Sequence, residues 1–115
     1  MKIRLHGTDY FLDIHHGNNK ISLRGKEIEC KSTTVTLAPA DNPKKVVFAG
    51  TSYCLPTDQF CKQEGRKRAV KKLLANMRES HKISIKQAKT RQAELVEEFK
   101  DQRALIFESI CPEYA

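Results

Sequence analysis

The run TDQFCKQEGRKRAVKKLLANM, residues 57–77, is where the chain changes structural period. Within it Val70, Leu73, Leu74 and Met77 fall at i, i+3, i+4 and i+7, the apolar stripe of an amphipathic helix. At 3.6 residues per turn these four cover about 100° of arc. Lys67, Arg68, Lys71, Lys72 and Arg78 occupy a broad neighbouring arc that faces away, and Lys82 extends it by a turn. Pro56 precedes the run, and Thr57 or Asp58 offers an N-cap. This predicts a basic helix over 57–80 with one side against a core.

Upstream the period is two. Ile3 and Leu5 alternate with Lys2, Arg4 and His6, and Tyr10, Leu12 and Ile14 alternate with Phe11, Asp13 and His15. Gly17-Asn18-Asn19 reads as a turn before Ile21 and Leu23, and Gly25 precedes Ile28 and Cys30. Val35 and Leu37 alternate with threonines, and Lys45 to Ala49 follows Asn42-Pro43. Short period-two runs with turn residues between them predict an antiparallel sheet with one buried face over 1–55. Downstream, Ser84-Ile85-Lys86-Gln87 fits a capping box. An apolar line through Leu95, Phe99, Ile106 and Ile110 then predicts a long helix over 84–110, about 39 Å at 1.5 Å per residue. The expected fold is α+β: one domain over 1–115, a sheet of three to five strands covered on one face by two C-terminal helices.

The net charge of +7 is local. Residues 1–61 carry +2, residues 62–91 carry +9, and residues 92–115 carry −4. Like charges along one helix face repel by several tenths of a kcal/mol per i,i+4 pair, so a functional face needs an anionic partner. The candidate binding residues are therefore Lys67, Arg68, Lys71, Lys72, Arg78 and Lys82. Their partner is either an acidic protein surface or a phosphate backbone; the plain alternative is a solvated helix face. Few aromatics accompany them, which disfavours stacking on single-stranded bases.

Arg66 is set apart from the other cations. It lies on the apolar arc, one turn before Val70, so its guanidinium must snorkel or find a carboxylate, with Asp58 as the candidate partner. Gly65 costs about 1 kcal/mol in a helix interior relative to Ala, which suggests a close backbone approach or a helix break.

No catalytic motif is present, whether nucleophile elbow, P-loop, carboxylate pair or glycine-rich phosphate loop. The reading is of a protein that is not an enzyme and uses no cofactor. His15 and His16 point to opposite strand faces, and the cysteines lack zinc spacing, so no metal is expected. Lys2, Arg4, His6 and Asp9 interrupt any apolar leader, and no membrane contact is expected; the expected place is the cytoplasm, with reduced thiols.

A helix of about 39 Å outruns five-residue strands of about 17 Å, leaving part of its apolar line uncovered. A two-fold homodimer through Leu95, Phe99, Ile106 and Ile110 closes that line; a helix that bends near Lys100-Asp101 and folds back is the alternative.

The stretch Thr57 to Val70 resembles a pattern of small bacteriophage accessory proteins, in which a small sheet precedes a D-x-F-x-K-x-x-G-R-K-x-A-L-like helix. Asp58, Phe60, Lys62, Gly65, Arg66, Lys67 and Ala69 carry the match, and Val70 stands where Leu is usual. The resemblance implies a role against host machinery or host defence, of the anti-CRISPR kind, with a host protein or nucleoprotein complex as partner.

Overall fold

A computed structural model describes residues 1–56, 59 and 61–114. Thr57, Asp58 and Phe60 lie outside the described residues, Asp58 being both a candidate cap and the candidate Arg66 partner. The basic helix begins at Lys62 with Cys61 at its N-cap, not at 57, so neither Thr57 nor Asp58 caps it. Four strands, β1 (Lys2–Leu5), β2 (Thr8–Leu23), β3 (Lys26–Pro39) and β4 (Phe48–Cys54), pair in the order β1-β2-β3-β4, each antiparallel to the next. Two helices follow, α1 (Lys62–Gln87) and α2 (Gln92–Ile110), and then a short 3₁₀ turn at Pro112–Tyr114. The chain is α+β.

The first two hairpins are closed by two-residue turns. His6 and Gly7 have φ of 50° and 77°, and Arg24 and Gly25 have φ of 52° and 76°. Two successive positive φ values make turns whose twist matches that of the strands. Gly25 supplies its share without steric cost. The Gly17-Asn18-Asn19 turn expected from sequence is not there. Gly17 pairs with Ser32 inside a continuous β2, so the two short strands read on either side of it are one. Ile28 and Val35 likewise belong to one strand, β3. Lys45 to Val47 precede β4, with Val46 and Val47 exposed.

The pleat sorts the side chains. Leu12, Val35 and Leu37 face the helices, while Asp13, His15, Thr34 and Thr36 face outward. α1 lies over β3 and β4. Its Ala69, Val70, Leu73 and Met77 are buried, as the apolar stripe requires, and Leu74 is half-buried beside them. Burying such a side chain contributes about 1.5–3 kcal/mol. Gly50 of β4 permits the approach: a Cβ there would fall on the backbone of Ala69 and Leu73. Asn76 Nδ2 donates to the Ala49 carbonyl at 2.9 Å, and Ser52 Oγ donates to the Gly65 carbonyl at 2.8 Å, so two polar side chains join α1 to β4. At Gly65 the helix is continuous, so the break weighed there is absent, and its carbonyl accepts the Ser52 hydroxyl.

The helix boundary differs from the expectation. α1 runs through Ser84, whose hydroxyl donates back to the Ser80 carbonyl at 3.3 Å instead of capping a new helix. The chain breaks at Ala88–Arg91, with Arg91 left-handed at φ 64°. Gln92 Nε2 then donates to the Ile85 and Ala88 carbonyls at 3.1 and 3.0 Å, adding to the bond that the Ala88 N–H already makes to the Ile85 carbonyl at 3.2 Å. α2 therefore doubles back beside α1 rather than extending it. Ile106 and Ile110, 0% and 2% exposed, enter the same core as Ile3, Leu5 and Leu12. The part of the apolar line through Ile106 and Ile110, expected to overhang, is thus covered by the chain's own core. Phe99 and Leu95 are half-buried, Phe99 against the His81 ring.

Candidate binding surface on the helical hairpin

The outer side of α1 carries all six cations singled out from sequence, but their surroundings divide them. Arg68 Nε donates to Glu64 at 3.1 Å and Lys82 Nζ to Glu79 at 3.3 Å, both along the helix surface. Exposed pairs of this kind contribute little and stay open to exchange. Lys67 lies 4.4 Å from the centre of the Tyr114 ring, and Lys72 6.0 Å from that of Tyr53. Lys71 and Arg78 make no ion pair among the described residues. They line a groove of about 420 Å³ between α1 and α2.

That groove brings in two cations that sequence reading did not single out, Lys100 and Arg103 of α2. Leu74, Ala75, Ala104 and Phe107 form the rest of its lining. A second hollow of about 400 Å³ adjoins it toward Ile85 and Val96, with Arg78 and Arg103 lining both.

Arg103 is held in place. Its Nη1 donates to His81 Nδ1 at 2.9 Å. Arginine only donates, so Nδ1 accepts and His81 is neutral with its proton on Nε2. Burial, helped by the neighbouring guanidinium, pushes the His81 pKa down to about 4. The imidazole stacks on Phe99 with centroids 4.0 Å apart and planes 6° from parallel. Burial and the nearby Arg78 also lower the Arg103 pKa. The sequence signal available was the spacing of His81 within the α1 stripe, three residues after Arg78 and four after Met77.

Arg66 meets a carboxylate from the far end of the chain. Its Nη2 donates to Glu113 Oε1 at 3.0 Å, with both side chains about one-quarter exposed. Glu113 is held below the usual carboxylate range, first by a backbone hydrogen bond and then by Arg66. The tie fastens the 3₁₀ turn to α1, which a guanidinium on the apolar arc requires of some partner.

The acidic residues of α2 lie elsewhere. Glu94, Glu97, Asp101 and Glu108 are exposed. Arg91 reaches back to Glu94 at 2.7 Å, at the start of the helix where a carboxylate is favoured. A polar pocket of about 250 Å³ near the start of α1 is lined in part by Ser52, Cys54, Cys61 and Arg68. His15 and His16 sit on opposite faces, and His16 Nδ1 shares a hydrogen bond with Thr33 Oγ1 at 3.0 Å. Among the described residues no three of His, Cys, Asp and Glu gather as metal ligands, and no disulfide joins the four cysteines. Among the described residues no helix is long and apolar enough to cross a membrane.

No family model, no curated protein and no solved structure matches the chain.

Proposed function

We propose that this chain is a non-enzymatic binding protein that docks on an acidic surface of a larger protein assembly through the outer side of α1. One observation carries the reading. Lys71, Arg78, Lys100 and Arg103 converge on a single groove with no carboxylate partner among the described residues. Like charges gathered in this way oppose folding, and an anionic partner offsets that cost. Lys67 and Lys72 extend the field along α1 toward Tyr114 and Tyr53. The Thr57–Val70 resemblance supports a bacteriophage setting for the proposal. There the partner is a host complex in the cytoplasm, a nucleic-acid-handling defence complex among the candidates, and the protein acts by occupying the partner's site in the anti-CRISPR manner.

The competing partner is a nucleic acid backbone. Fluorescence anisotropy with duplex DNA over a salt series separates the two. Phosphate binding gives a slope of log K against log salt near −0.9 per contact, and loss of binding in a Lys71→Glu, Lys72→Glu double variant. The acidic-protein reading predicts weak duplex binding that vanishes at physiological salt. Tight duplex binding with a steep slope moves the assignment to nucleic acid.

A further inference from the structure

The groove between the helices is more than a patch of charge, because half of it is apolar. Leu74 and Phe107 are half-buried at its floor, and Ala75 and Ala104 are exposed there. Two alanines leave the groove open where longer side chains would fill it. Cations stand along the same groove: Lys71 and Arg78 from α1, Lys100 and Arg103 from α2. The adjoining hollow reaches Ile85. From Lys71 to Ile85 along α1 is about 21 Å at 1.5 Å per residue.

From this we propose that the groove takes an acidic amphipathic helix of a partner protein, its apolar stripe on Leu74, Ala75, Ala104 and Phe107 and its carboxylates on the flanking cations. A helix of about 14 residues matches the length. A phosphate backbone uses the cations but gains nothing from an apolar floor, whereas an amphipathic helix uses both. The hydrogen bond from Arg103 to His81 serves the same end, since it fixes one guanidinium at the groove before a partner arrives. This proposal rests on the acidic-partner reading above and adds the form of the ligand.

The probe is a synthetic helical peptide of about 16 residues, with leucines at i, i+3, i+4 and i+7 and glutamates on both flanks. Its control has the same composition with the leucines scattered, and a DNA duplex of similar length is the third ligand. Binding is read by anisotropy and by backbone amide shifts of the full chain. The amphipathic peptide should bind at least about tenfold more tightly than its control, and the amide shifts should centre on Ala75 and Ala104. Ala104→Phe fills the groove from an exposed position without altering charge. With an unchanged circular dichroism spectrum it should weaken the amphipathic peptide about tenfold, and Lys100→Glu should do the same. Equal binding of the two peptides, or a folded Ala104→Phe chain that binds as the parent does, overturns the groove proposal. If both peptides bind equally and both are lost on Lys71→Glu and Lys72→Glu, the acidic-partner reading stands without the groove. If neither peptide binds, or only the duplex does, both readings fall.

Discussion

Gly50 is the residue with the least room to change. Any side chain there meets the main chain of Ala69 and Leu73, which cannot rotate aside as a flexible side chain would. Gly50→Ala should cost about 3 kcal/mol, the upper part of the usual range for overpacking, read as a lower denaturation midpoint. His81 gives a second test through pH. Its folded pKa of about 4 lies below the ordinary 6.5, so the unfolded chain takes up this proton first as pH falls. Stability should therefore be full above about 6.5 and decline progressively toward 4, by about 1–3 kcal/mol from this group. His81→Gln keeps an acceptor for Arg103 and removes the proton, so denaturation of the two proteins should diverge between pH 7 and 4.5. A variant that loses as much stability as the parent over that range contradicts the assignment. The buried stripe of α1 was legible from spacing alone, because helical period and burial are local. Gly50, the His81–Arg103 bond and the Arg66–Glu113 tie were not legible. Each joins residues far apart in the chain, and no local pattern announces the pairing.

The elements show the same division between local and tertiary information. Strand period and helix period predicted the sheet and both helices, but two boundaries went elsewhere. Gly17-Asn18-Asn19 has the composition of a turn, yet cross-strand pairing with Ser32, Lys31 and Cys30 carries it through β2. Ala88-Lys89-Thr90-Arg91 has neither glycine nor proline, yet the chain breaks there, because Ile106 and Ile110 gain a core by folding back. The hairpin of β2 and β3 extends past the rest of the sheet, since β4 pairs with β3 only from Lys31 to Leu37. Beyond Lys31 the ribbon has two strands, and two strands alone are marginal in water. Native-state hydrogen exchange should find the amides of Lys20–Glu29 open at low free energy, while those of Leu12 and Val35–Leu37 exchange only near global unfolding. Uniform protection along both strands contradicts this.

At the scale of the molecule, charge is sorted by surface. Cations line the outer side of α1 and the groove, and carboxylates line the exposed side of α2. The sequence showed the basic segment but not the groove, because Lys100 and Arg103 belong to a segment whose net charge is −4. Only the helical hairpin brings them beside Lys71 and Arg78. The same hairpin removes the apolar overhang that made a homodimer through Ile106 and Ile110 attractive. The central claim, an acidic protein partner held by the basic side of the hairpin, is tested most directly by affinity capture from cell extract with and without nuclease. The parent chain is compared with the Lys71→Glu, Lys72→Glu variant, both checked for native fold. The account predicts a defined protein partner that the parent retains in stoichiometric amount after nuclease and the variant does not. Recovery that disappears on nuclease treatment, or that is the same for parent and variant, contradicts it.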